Sequence, residues 1–148
     1  VRRAKPAAPA LLVKLELDDF VALGEGRFPG LLGIQIDLVE EGHVQMHLPL
    51  RDELLAPNGY LHAATVVGLA DSACGYGCIA SLPGGASGFT TIELKTNFLG
   101  TALAGTLLCE SQRVHGGRTT QVWDATVRDD SDKTIALFRC TQLLLYPE

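Results

Sequence analysis

From residue 62 to about 81 the chain is apolar on every side of a helical wheel, rich in small residues, and carries a single carboxylate, Asp71. No β alternation runs through the segment and Pro83-Gly84-Gly85 closes it, which predicts one buried helix of about five turns. A helix without a polar face must be enclosed on all sides. The rest of the chain, or a second copy of it, therefore has to wrap a rod, and few architectures do that.

The flanking sequence supplies strands. Ile34, Ile36 and Leu38 alternate with Gln35 and Asp37, and after the Glu41-Gly42 turn Val44, Met46 and Leu48 share one face, a hairpin pattern. Residues 51–61 form a loop around Pro57-Asn58-Gly59. Beyond the helix, strands are expected over residues 90–98, 105–114, 119–128 and 134–145, with links at 115–118 and 129–133 short enough for hairpins. Asp18-Asp19 is expected to cap a short helix through Leu23. A hairpin, a buried helix and a run of antiparallel strands make an α+β fold, one curved antiparallel sheet around one long central helix.

A length of 148 residues suits a single domain, expected over residues 18–148, with 1–17 as a flexible lead-in. Val1-Arg2-Arg3 before the apolar residues 7–13 has the outline of a signal peptide without a convincing cleavage region. No apolar run approaches the roughly 20 residues of a membrane-spanning helix, so no membrane partner is expected. The net charge of −5, with no basic stripe, argues against nucleic-acid binding, and leaves an anionic ligand to be held by local contacts. Cys74, Cys78, Cys109 and Cys140 form no C-x-x-C pair. They read as buried free thiols of a reducing, cytoplasmic compartment, not as a disulfide frame or a metal site.

Asp71 then needs a reason, since an unpartnered carboxylate in apolar surroundings costs several kcal/mol. On the wheel its neighbours are Ala64, Gly68, Gly75 and Cys78. Two helix-weakening glycines beside a buried acid either leave room for a substrate or allow close packing while Asp71 captures stray donors. Tyr76 reads either as a donor to substrate or, first, as a residue that simply spans core and solvent.

Residues 58–64, Asn-Gly-Tyr-Leu-His-Ala-Ala, deliver free N–H groups at the positive end of the helix dipole. An amide there, aimed at a carbonyl, would stabilise a developing oxyanion, while His62 reads first as a cap or core imidazole. Nine residues separate His62 from Asp71, about 13 Å along a helix. One helix cannot bring both to the same carbonyl, but two antiparallel helices across a two-fold axis can. If the two ends form a catalytic pair, dimerisation is obligatory.

Three stretches carry a family resemblance: Pro57-Asn58-Gly59-Tyr60-Leu61-His62 with Asp71 nine residues past the histidine, residues 89–99 (FTTIELKTNFL), and Gly116-Gly117-Arg118-Thr119-Thr120. Over about residues 28–146 the chain resembles hotdog-fold acyl-CoA thioesterases of the phenylacetate-degradation and Arthrobacter-type 4-hydroxybenzoyl-CoA kind. The resemblance implies hydrolysis of an acyl-CoA thioester with Asp71 as nucleophile or general base. It places the Ala63 amide of the opposite subunit on the oxyanion, next to His62, and Gly117, Arg118, Thr119 and Asn97 on the substrate, the first three at the CoA pyrophosphate. No cofactor is implied, since CoA is part of the substrate, and the assembly is a homodimer or, as a dimer of dimers, a homotetramer. The usual His-Gly-Gly is here His62-Ala63-Ala64, and the usual Asn or Gln six residues before the histidine is Ala56, leaving Asn58 as the nearby polar side chain. Leu31, Leu32, Val66 and Phe89 are candidate linings of an acyl tunnel, and Trp123 and Phe98 read as core or interface residues.

The rival from another class is a non-catalytic acyl-CoA binding or structural protein, motivated by Ala56. A lyase of the fatty-acid dehydratase type is discounted, because Arg27-Phe28-Pro29-Gly30 stands where that family has His-Phe-Pro-Gly.

Overall fold

The computed structural model describes residues 14–148. In chain order these form α1 (Leu17–Gly24), α2 (Phe28–Leu32), β1 (Gln35–Glu40), β2 (His43–Pro49), a 3-10 turn at Asp52–Leu54, α3 (Ala63–Ala80), β3 (Gly88–Phe98), β4 (Thr106–Gly116), β5 (Thr120–Arg128) and β6 (Thr134–Leu145). The lead-in expected over residues 1–17 lies, up to residue 13, outside the described residues, and Leu17 already belongs to α1.

All six strands join one antiparallel sheet in the order β1-β2-β4-β5-β6-β3. The four inner strands bury alternate residues, β5, for example, turning Gln121, Trp123, Ala125 and Val127 inward, while the edge strands β1 and β3 have no fully buried residue. Irregular pairing between Ile36 and Leu38, Thr91 and Glu93, and Arg113 and His115 bends the strands that carry it. The curled sheet holds α3 against its inner face, with every strand touching the helix. By length and composition alone α3 would cross a membrane, yet most of it is buried against the sheet. The expected wrapped rod is the observed architecture.

The fit of rod to sheet depends on close approach. A Cβ at Gly77 would lie 2.5 Å from Cη2 of Trp123, so only glycine lets the fully buried indole rest on the helix backbone. Trp123 Nε1–H donates to Gln121 Oε1 at 2.8 Å, and Gln121 Nε2 donates to the Ser81 carbonyl at 2.8 Å. A buried helix end needs such a partner for its last carbonyls. All four cysteines are free and buried, as expected, and burial pushes the Cys78 and Cys109 thiols up to about 12, far from the reactive range.

Two local features differ from expectation. The N-cap of α1 is Glu16, whose N–H donates to the Asp19 carboxylate at 2.8 Å, so Asp19 closes a capping box from inside the first turn. The segment FPGLL, to which the sequence pattern assigns no element, is α2: Pro29 stands in its first turn, and Gly33, at φ 85°, ends it in the left-handed region.

Candidate active site

The loop before α3 is tied down by its own backbone. Ala56 N–H donates to the Tyr60 carbonyl at 2.7 Å, Gly59 N–H to the Ala56 carbonyl at 2.8 Å, and His62 N–H to the Leu54 carbonyl at 3.2 Å. Asn58 Oδ1 accepts the Tyr60 N–H at 3.2 Å, so its carboxamide oxygen serves the turn. His62 is the N-cap of α3, and its Nδ1 accepts the Ala64 N–H at 3.0 Å. That acceptor role places the neutral ring's proton on Nε2. Thr65 N–H is taken by the His62 carbonyl at 3.0 Å, and the Thr65 hydroxyl donates to the Leu54 carbonyl at 2.8 Å. Ala63 is exposed, and its N–H has no partner among the described residues. The start of the helix thus presents one free amide between two committed ones.

Asp71 sits midway along α3, half-buried. Its Oδ1 is shut off from solvent without a hydrogen-bond partner, and burial raises the carboxyl above its ordinary 3.8. The neighbouring Ser72 hydroxyl is turned to the Gly68 carbonyl at 2.6 Å and gives the acid nothing. Asp71 therefore does not serve to collect stray donors. The flanking glycines do serve packing: a Cβ at Gly68 would lie 2.8 Å from Leu32 Cδ1 and 2.9 Å from Phe28 Cε1, and one at Gly75 3.2 Å from Phe89 Cζ. Tyr76 is buried, with its ring 5.8 Å from that of Phe20 and its hydroxyl toward Gly24, so it packs in the core and does not span to solvent as expected. Val66, expected among tunnel linings, is buried in the core, about 140° around the helix from Asp71. The expectation fails for it, because the side of the rod that it occupies is covered by the sheet.

Along one chain the Ala63 amide and Asp71 are about 12 Å apart, eight residues of unbroken helix. The turn containing Gly117, Arg118 and Thr119 lies at the other end of α3, where Gly117 faces a small cavity of about 190 Å³ shared with Ser81 and Arg113. Arg118 is exposed, and its carbonyl accepts the Tyr146 hydroxyl. Asn97 pairs with Leu137 while Thr119 bonds to Leu144, seven residues along β6, or about 23 Å of strand. Asn97 also shares the outer face of the sheet with exposed Leu137. One chain does not bring Asn97 together with the 117–119 turn. A larger groove of about 660 Å³, lined by Leu15, Phe20, Val39, Glu40, Ile79 and Leu82, opens beside the C-terminal half of α3 and away from Asp71. Among the described residues no three His, Cys, Asp or Glu side chains are grouped as metal ligands. Sequence reasoning did not single out Phe28 or Arg51 for this region; the available signal was Gly68, whose missing side chain needed a neighbour.

One helix cradled in a curled sheet, with an unpartnered acid at mid-helix, defines a hotdog protein, and the comparisons agree. The Thioesterase superfamily profile matches residues 58–136, and the chain belongs to that superfamily. It is 32% identical over 110 residues, 74% of this chain and 89% of the relative, to the 1,4-dihydroxy-2-naphthoyl-CoA hydrolase of Listeria monocytogenes. It is also 32% identical over 109 residues, 73% of this chain and 75% of the relative, to the acyl-coenzyme A thioesterase PaaI of Escherichia coli. A crystal structure of a mutant of thioesterase PA1618 from Pseudomonas aeruginosa superposes with a TM-score of 0.85 at 24% identity, covering 92% of this chain and 98% of the other. The profile and the two sequence relatives show the family expected from the motifs, and the crystal structure shows the fold.

Proposed function

We infer that this thioesterase hydrolyses an acyl-CoA, with Asp71 of one protomer and the Ala63 amide of its partner acting on the same carbonyl. One observation carries the reading: a single rod bears a carboxylate with a sequestered, unpaired oxygen and, eight residues away, an amide with no acceptor. The buried oxygen of Asp71 is a cost by itself, and an antiparallel pair of such rods would set it beside the free, exposed amide at the partner's helix start. The open edge of the sheet supports the pairing. β3 is the last strand, and its inward-facing Leu94 and Phe98 remain 43% and 48% exposed, an apolar edge that calls for cover. Buried Thr96 Oγ1 on the same face lacks a partner as well. A dimer is the minimum assembly, and a dimer of dimers is compatible with it.

In the reaction the thioester carbonyl oxygen rests on the partner's Ala63 N–H. As general base, Asp71 removes a proton from water while the water oxygen bonds to the carbonyl carbon. The oxyanion then collapses, the C–S bond breaks, and the CoA thiolate takes up the proton. As nucleophile, Asp71 would instead displace the CoA thiolate, breaking the C–S bond to form a mixed anhydride, which water cleaves to the free acid and the regenerated Asp71 carboxylate while the thiolate takes up the proton released. The raised affinity of Asp71 for protons suits the base. His62, held by Ala64 in the Nε2–H form, and Asn58 border the carbonyl site from the same loop. The 117–119 turn, about 13 Å beyond Asp71 along α3, suits the far end of a pantetheine arm, and Arg118 suits phosphate. Asn97, on the outer face of β3, would join only from another protomer.

Thiol release from a panel of acyl-CoAs tests the reading: Asp71→Asn should fold and bind CoA yet lose turnover by orders of magnitude, and near-normal turnover removes Asp71 from the reaction. Ala56, whose methyl can polarise nothing, favours the second reading, a non-catalytic acyl-CoA binder. CoA binding with no hydrolysis of any substrate would establish it.

A further inference from the structure

We propose that Phe28 of α2 and Phe89 of β3 are the specificity-determining side chains of the site, and that Arg51 positions α2 to hold Phe28 there. The proposal rests on the thioesterase reading. Gly68 precedes Asp71 by three residues and Gly75 follows it by four, so all three lie on one stripe of α3. Phe28 and Leu32 fill the notch at Gly68, and Phe89 fills the one at Gly75. The carboxylate is therefore flanked by an aromatic ring on each side, with anchor points about 10 Å apart along the helix.

Phe28 is not spent on the core. Leu32 beside it is 7% exposed, whereas Phe28 is 55% exposed, so much of the residue is free surface although one edge of its ring rests against Gly68, one helical turn from the acid. The element that carries it is nevertheless held firmly. Arg51 donates from Nη1 to the Leu32 carbonyl at 2.6 Å and from Nη2 to the Leu31 carbonyl at 2.9 Å, closing the C-terminal end of α2 with a charged fork. Gly30 lies so near Gly24 that a Cβ would fall 2.3 Å from its carbonyl oxygen. A five-residue helix held at its middle and at its C-terminal end, with an exposed phenylalanine on its first turn, is built to present that side chain.

An acyl group whose carbonyl meets Asp71 has its first carbons between these rings. Flat or unbranched chains pass there, and a quaternary carbon next to the carbonyl does not. A group of methyl size in such a slot changes selectivity by about 10- to 200-fold.

The test compares kcat/KM for pivaloyl-CoA with that for hexanoyl-CoA in the full-length protein. Phe28→Ala and Phe89→Ala should each raise the ratio at least about tenfold, and Phe28→Leu should raise it less while keeping the fold. Arg51→Gln should move the ratio the same way and Arg51→Lys should recover part of the preference, a response that a purely structural role would not give. Hydrolysis with a ratio unchanged in all these variants overturns the proposal and leaves the thioesterase reading standing. Equal loss on both substrates with a fall in molar mass by light scattering would make Phe28 an interface residue and also overturn it. No hydrolysis of any substrate by the unaltered protein overturns the thioesterase reading and this one together.

Discussion

Ala63→Pro isolates a single hydrogen. Proline at the first helical position is tolerated because that N–H has no intrahelical acceptor, and here the Ala63 N–H has no partner among the described residues. The residue before a proline must be extended, and His62 already is, at φ −67° and ψ 130°. The cap bonds from Ala64 N–H to His62 Nδ1 and from Thr65 N–H to the His62 carbonyl involve neither the lost hydrogen nor a moved atom. Ala63 is exposed, so the ring has space. The expected change in stability is thus within about 0.5 kcal/mol, as for surface substitutions generally. Loss of one oxyanion donor costs about 2.7–4 kcal/mol of barrier, or about 10²–10³ in kcat. Thermal unfolding and steady-state thiol release on the same preparation check both halves, with Ala63→Gly, which keeps the N–H, as the active control. A folded Ala63→Pro protein with turnover within threefold of the parent refutes the role of this amide. An unfolded one refutes the account of the helix start.

Asp71→Asn should be the more stable protein at pH 7. The carboxyl is raised above 3.8 by burial, so the native state holds the proton more tightly than the unfolded chain. Stability therefore falls as pH rises from 3.8 through the raised native value, and the deficit persists above it. Relief of one buried, unpaired carboxylate oxygen, discounted for the solvent-facing one, is about 1 kcal/mol or about 2–4 °C in Tm at this size; calorimetry should show the gap closing below pH 4, and an equal Tm at pH 7 contradicts it. Gly77→Ala forces a methyl into the Trp123 indole and should destabilise by about 1–3 kcal/mol, read from denaturant midpoints; Gly75→Ala, with 3.2 Å to a movable phenyl tip, should cost less. Gln121→Leu strands the buried Trp123 N–H and the Ser81 carbonyl and should cost about 2–4 kcal/mol, measured the same way; a neutral result would show that neither group depends on Gln121.

The central helix and the strands were legible because they are local in origin. An all-round apolar segment closed by Pro83 and the period-two runs on either side leave little choice of state, and their ends fall within about two residues of those observed. Asp71 was equally legible, since one carboxylate among residues 63–80 stands out against its surroundings. Helix α2 was not, because five residues containing Pro29 and Gly30 have no periodicity to detect. Its stability comes from Arg51, eighteen residues past Gly33, and from contact with α1.

By itself, then, the sequence determined that a rod must form, that strands must enclose it, and that one acid must be sunk in it, because short-range sterics and hydrophobic periodicity act within a few residues. Only the tertiary structure decided that β3 lies at the edge beyond β6 and that Asn97 lies far from the 117–119 turn. It also decided that the glycines beside Asp71 are filled by Phe28, Leu32 and Phe89. These are contacts between residues tens of positions apart, set by how the sheet curls and by which side chains reach across it, and no local pattern encodes them.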